Sequence, residues 1–125
     1  MIYLKRAYDN QTNEGGSHFL VERLWPRGVK KSALKLTAWL KDVAPSPGLR
    51  KWFSHDPAKW PEFQRRYFAE LDARPESLET ILKAARRGRV TFVYSSRDTE
   101  HNNAAALKNY VESRLAKGRK PKAAA

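Results

Sequence analysis

The chain of 125 residues has no cysteine, so disulfides, a thiolate nucleophile and a cysteine-based zinc site are all excluded. The same absence fits a reducing compartment and sets the expectation of a cytoplasmic protein. Long apolar runs are missing too. Nothing approaches the roughly 20 residues needed to span a membrane, and the opening MIYLKR lacks the apolar stretch and cleavage site of a signal peptide. No membrane partner is expected. HExxH, GxGxxG, Walker and GxSxG motifs do not occur. The three histidines, His18, His55 and His101, lack ligand spacing, so neither a metal nor a cofactor is expected.

Acidic residues are scarce. Lys and Arg number 25 against 13 Asp and Glu, a formal net charge of +12. Residues 117–125, KGRKPKAAA, hold four cations and no acid and read as a basic disordered tail; residues 1–116 form one domain carrying the remaining +8. Such an excess attracts polyanions without sequence information, which makes nucleic acid a candidate partner. A merely solvated cationic surface is the plainer alternative.

The patterning indicates an α/β protein with a small three- to four-stranded sheet flanked by helices. Ile2–Tyr8 and His18–Glu22 read as strands separated by the polar loop DNQTNEGGS. Gly15-Gly16 allows a hairpin there, and a parallel return through the loop stays open. Leu34, Leu36, Trp39, Leu40 and Val43 suggest a helix that Ala44-Pro45 stops. Ser46-Pro47 opens a short helix to about Phe53, with serine as cap and proline at the first helical position. Asp56-Pro57 repeats the device before a helix whose apolar stripe is Trp60, Phe63, Tyr67 and Leu71. A helix bearing Leu78, Ile81, Leu82 and Ala85 should stop at a left-handed Gly88. The nearly continuous apolar run Val90–Tyr94 predicts a central strand covered on both faces. Asp98 or Thr99 should cap the last helix, with Ala104, Leu107, Val111 and Leu115 inward.

In open α/β sheets, ligands gather beyond the carboxyl ends of the strands. Arg23 and Arg27, four apart in ERLWPRG around a Pro-Gly turn, suit bidentate capture of one anion; the alternative is that Arg23 pairs with a local carboxylate and Arg27 is solvated. Trp25 between them stacks a base or sugar, or else plugs the core. His101 is a candidate general acid/base with Asp98 as its orienting carboxylate, against a first-turn histidine bonded to backbone. Asn102 is a candidate amide donor. His55, beside Trp52 and Phe53, is either a ligand contact or a structural histidine. Ser95 and Ser96 give no sign of a nucleophile. Together these residues suggest binding or turnover of a small phosphorylated or nucleotide-like anion, with enzyme status open; the alternative is a nucleic-acid-binding module using the basic surface, Lys83, Arg86, Arg87 and Arg89 among it, and the tail.

ERLWPRG, WLKDVAPSPGLRKWFSHDP, the FxxRYxxEL of Phe63–Leu71 and VTFVYSSRDTEHNNAAAL closely resemble the YeaO-like proteins, small bacterial proteins grouped as a domain of unknown function. The likeness runs from Ile2 to about Leu115 and implies a compact α/β domain, without implying a reaction. Its motif positions fall on Arg23, Trp25, Pro26, Arg27 and Gly28, on His55, Asp56 and Pro57, on Arg66 and Tyr67, and on Asp98, His101 and Asn102. Two departures stand out. Glu22 replaces the aspartate of VDRLWPRG, and Ser95-Ser96 replaces a usual Ala-Ala or Ala-Lys.

Overall fold

The computed structural model describes residues 2–9 and 15–119. Its centre is β4 (Val90–Tyr94), all five residues of which are buried, flanked by β1 (Ile2–Arg6) on one side and β2 (Ser17–Leu20) on the other. A two-residue β3 (Ala38–Trp39) completes the order β1-β4-β2-β3, and every pairing is parallel. The hairpin that Gly15-Gly16 would allow therefore does not form: β4 lies between the two strands that such a hairpin would join. With all strands parallel, the loops after β1, β2 and β4 emerge at one edge.

Alternation along the strands splits the interior in two. Ile2, Phe19, Val90, Phe92 and Tyr94 face the main core, which four helices cover. Leu20 and Val93 face a smaller cluster with Ala7 and Leu34, closed by Trp25, Val29, Leu36 and Trp39. The second cover is loop rather than helix, which corrects the helix expected over residues 34–43. Its apolar residues do not keep to one helical face: Leu34 and Leu36 join the smaller cluster, and from Ala38 to Leu40 the side chains alternate between the two cores, as in extended chain. Ala38 and Leu40 pack on the main core while Trp39 packs on the other cluster. Backbone bonds from Thr37 N to His18 O (2.7 Å) and from Leu40 N to Leu20 O (2.8 Å) tie this segment to β2, between short 3-10 turns at Lys31–Ala33 and Lys41–Val43.

The helices follow their caps. In α1 (Pro47–Phe53) the Ser46 hydroxyl accepts from Leu49 N at 3.2 Å, and Ser46 also donates twice to the Glu70 carboxylate, through N at 2.8 Å and Oγ at 2.6 Å. That joins the start of α1 to α2 (Trp60–Asp72), which a 3-10 turn capped by Asp56 precedes. Phe63, Tyr67 and Leu71 are the buried stripe of α2. Burial pushes the Tyr67 hydroxyl well above the ordinary phenol range, and it donates to Val43 O. The next helix, α3 (Glu79–Arg87), stops at Gly88, but with φ 167°, extended rather than left-handed. In α4 (Asn103–Arg119), Ala104, Leu107 and Val111 are buried and Leu115 packs against the core. It begins three to four residues later than expected and continues to Arg119, into the stretch read as tail; residues 120–125 lie outside the described residues. No described helix is long and apolar enough to cross a membrane.

Candidate functional site

At the carboxyl edge of the sheet a cavity of about 140 Å³ opens between the loop after β2, the end of α1, the loop after β4 and the start of α4. Its floor is apolar, with Pro45, Phe53 and Phe63. Its walls carry Glu22, Arg50, His55, Ser95, Ser96, His101, Asn102 and Asn103. An adjoining hollow of about 420 Å³ shares His55, Ser95 and Ser96 and adds Arg97 and Asp98.

His101 is the most organised of these groups. Asp98 does not cap α4; it closes the turn before the helix, its Oδ1 accepting from the backbone N–H groups of Glu100 and His101 at 2.9 Å each. Those two donors, His101's the stronger, hold the Asp98 carboxyl below the usual carboxylate range. Its Oδ2 lies 2.9 Å from His101 Nδ1. An ionised carboxylate can only accept, so Nδ1 carries the hydrogen. Nε2 then presents a lone pair when the ring is neutral and a second donor when it is charged. The edge-on ring of Trp60, 5.3 Å away and 82° inclined, fixes the imidazole from the side.

His55 reaches the cavity at a backbone cost. Ser54 ends α1 in the left-handed region at φ 46°, and His55 follows at φ 57°. Two successive non-glycine residues of this kind store about 1–3 kcal/mol each. Asn102 is buried and bonded at both ends of its amide: Nδ2 donates to Asp98 O at 2.9 Å and Oδ1 accepts from Ala105 N at 2.8 Å. It is the cap of α4 through Oδ1, while Nδ2 ties the helix start to the turn at Asp98. The neighbouring Asn103 donates to Val21 O at 2.7 Å and ties α4 to the end of β2.

Arg23 and Arg27 do not line this cavity. Arg23 is half-buried, with its Nε out of solvent and without a hydrogen bond. Arg27 is exposed, and its carbonyl accepts from the Tyr8 hydroxyl at 2.9 Å. Trp25 closes the smaller cluster: Nε1 donates to Val29 O at 2.6 Å and the ring meets Trp39 edge-on at 5.3 Å. The cation in the cavity wall is instead Arg50, exposed and with no side-chain hydrogen bond or ion pair among the described residues. Sequence reasoning also passed over Glu22 as a site residue. Ser95 Oγ donates to Glu22 Oε1 at 2.6 Å, so the two departures from the YeaO-like motifs are bonded to each other across the cavity. Histidine was the legible signal here; an arginine in a helix that reads as surface was not. Among the described residues no group of three or more His, Asp or Glu is placed to hold a metal ion.

A family model described as "Inactive DUF488-N3 subclade" matches residues 1–125. "Uncharacterized protein YeaO" of Escherichia coli (strain K12) is 36% identical over 112 residues, covering 90% of this chain and 97% of its own length. "Uncharacterized protein Rv3073c" of Mycobacterium tuberculosis (strain ATCC 25618 / H37Rv) is 34% identical over 113 residues, covering 90% and 95%. "Uncharacterized protein Mb3100c" of Mycobacterium bovis (strain ATCC BAA-935 / AF2122/97) gives the same figures. No solved structure matches the chain.

Proposed function

The chain belongs to the inactive DUF488-N3 subclade, a YeaO-like family, and we propose that it binds a small phosphorylated or nucleotide-like anion at the carboxyl edge of its sheet. One observation carries the reading: Arg50, with no side-chain hydrogen bond or ion pair among the described residues, lines the same cavity as two imidazoles, His55 and His101. Among the described lining residues the carboxylate is Glu22, which accepts from Ser95 through Oε1 and is outnumbered by Arg50 and the two imidazoles when these are charged. The smaller hollow suits a phosphoryl group, and the adjoining one suits the moiety it is attached to. In a site half closed to water, a guanidinium and a charged imidazole hold an anion better than on an open surface, because screening is weaker there. The word "inactive" in the family's description supports retention of the ligand over its turnover. The absence of cysteine supports a cytoplasmic setting.

The Asp98–His101 pair favours a second reading, turnover, in which Nε2 takes a proton from the bound ligand while ionised Asp98 stabilises the imidazolium. Both readings share one test. Isothermal titration with inorganic phosphate, sugar phosphates and nucleotides is run on wild type, Arg50→Ala, His101→Gln and Arg27→Ala. Binding weakened at least tenfold by Arg50→Ala and unchanged by Arg27→Ala supports the site. Equal affinity in all four proteins removes it. Product formation by wild type that disappears in His101→Gln separates turnover from retention.

A further inference from the structure

The opposite edge of the sheet carries a larger hollow, about 520 Å³, between the amino ends of β2 and β3 and the last turns of α3. Its floor is apolar: Phe19, Ala38 and Ala84. Three cations, Lys83, Arg87 and Arg89, stand around it, and no described lining residue is a carboxylate. Hydroxyls come from Ser17, Thr37 and Thr80. The Thr37 hydroxyl accepts from His18 N at 2.9 Å, which leaves its own hydrogen to be donated.

Cations at a helix C-terminus complement the helix dipole, and Arg86 and Arg87 do that. Arg89 falls outside this explanation. It lies beyond the helix, and its guanidinium is seated 3.7 Å above the Tyr3 ring, which holds it at the rim before any ligand arrives. Lys83 is within 3.1 Å of Glu79, but both side chains are nearly two-thirds exposed. Such a pair is worth little and opens readily. The wall at Gly16 is bare backbone packed on the Arg89 carbonyl, so no side chain obstructs that side.

We propose that this groove binds single-stranded nucleic acid, with phosphates on the Lys83–Arg87–Arg89 rim and one base or sugar over the apolar floor. The net charge of +12 supplies the long-range attraction. The hollow favours a single strand over a duplex. An unstacked nucleotide has an apolar face to place in it, whereas duplex phosphates touch only the rim. This site is independent of the one at the carboxyl edge.

The test is fluorescence anisotropy with a labelled 12-nucleotide RNA and the full chain, from 50 to 300 mM salt. Lys83→Glu/Arg87→Glu is compared with Lys30→Glu/Lys51→Glu, which changes the net charge equally at exposed positions outside the groove. The groove variant should lose at least tenfold more affinity than the control. The slope of log K on log salt should shrink by about 1.4, or about 0.7 per lost phosphate contact. Equal losses in the two variants, preference for the duplex form of the same sequence, or equal competition by polyglutamate would each overturn the proposal. If the charge reversal impairs folding on thermal melting, Lys83→Gln/Arg87→Gln against Lys30→Gln/Lys51→Gln gives the same comparison.

Discussion

Replacing Gly16 with alanine should destabilise this protein far more than the same change one residue earlier. Both glycines are left-handed, Gly15 at φ +78° and Gly16 at φ +74°. At Gly15 an added Cβ meets nothing within 4 Å. Its cost is the left-handed conformation alone, about 1 kcal/mol, partly offset by the lower entropy of the unfolded chain. At Gly16 the Cβ would lie 2.2 Å from Arg89 O and 2.8 Å from that residue's carbonyl carbon and Cβ. Those neighbours are mainly backbone, so the strands themselves must part by about 1 Å to reach a tolerable contact. The same Arg89 carbonyl accepts from Ser17 N at 2.9 Å, the bond that starts the β2–β4 pairing. Losing it costs about 1 kcal/mol, and the displaced packing adds about 1–3. Gly16→Ala should therefore lose about 3–5 kcal/mol and Gly15→Ala no more than about 1. Against a typical total of about 5–15 kcal/mol, the first is severe. Urea denaturation followed by tryptophan fluorescence measures both. Losses within about 0.5 kcal/mol of each other would refute the close approach of these two strands.

Three further outcomes follow from individual side chains. His55→Gly should raise stability by about 0.5–1 kcal/mol, because glycine relieves the φ 57° strain at a smaller entropic cost, whereas His55→Ala should give no gain; thermal melts distinguish them. Tyr67→Phe removes the donor to Val43 O in a fully buried setting, and should cost about 1–3 kcal/mol in urea denaturation with little change of m-value. Glu62 accepts from Arg65 at 2.9 and 2.5 Å and from Arg66 at 2.7 Å, which lowers its pKa from 4.5 to about 2. A depressed carboxylate stabilises the fold above its unfolded pKa and loses that contribution as pH falls from about 4.5 towards 2; NMR titration of the Glu62 carboxyl should give the low value in dilute buffer and a higher one in strong salt.

Where local chemistry decides the backbone, the residues were readable in advance. Ser46-Pro47 marks the start of α1 because a hydroxyl acceptor and a fixed φ serve the first turn wherever they occur. The stripe of α2 and the apolar run of β4 report burial directly. The segment 34–43 misled because leucine and tryptophan suit either period, and only the free backbone of β2 selects the extended one. The start of α4 was missed for a similar reason. Asp98 is a good cap by composition, but Asn102 competes for the role and is buried where both halves of its amide are satisfied.

The cavity was legible only as far as single residues announce themselves. His55 and His101 could be named because imidazole is rare in this chain and each sits beside a cap. Arg23 and Arg27 were equally conspicuous, in a loop whose Trp-Pro pair invited a binding role, yet that tryptophan is consumed in covering the outer face of the sheet. The direction of β2 decided the matter. Because β2 runs parallel to β4 and beside it, Glu22 emerges next to Ser95, 73 residues away, and Asn103 reaches back to Val21. An antiparallel β2 would have sent the Glu22 loop to the far edge and left His101 facing nothing from it. The longer carboxylate at 22 and the hydroxyl at 95 stand out in the linear sequence only as two separate departures; adjacency makes them one polar wall. In this chain the chemistry-bearing groups are local, but their meeting is a property of strand order, and strand order depends on pairings that no short motif encodes.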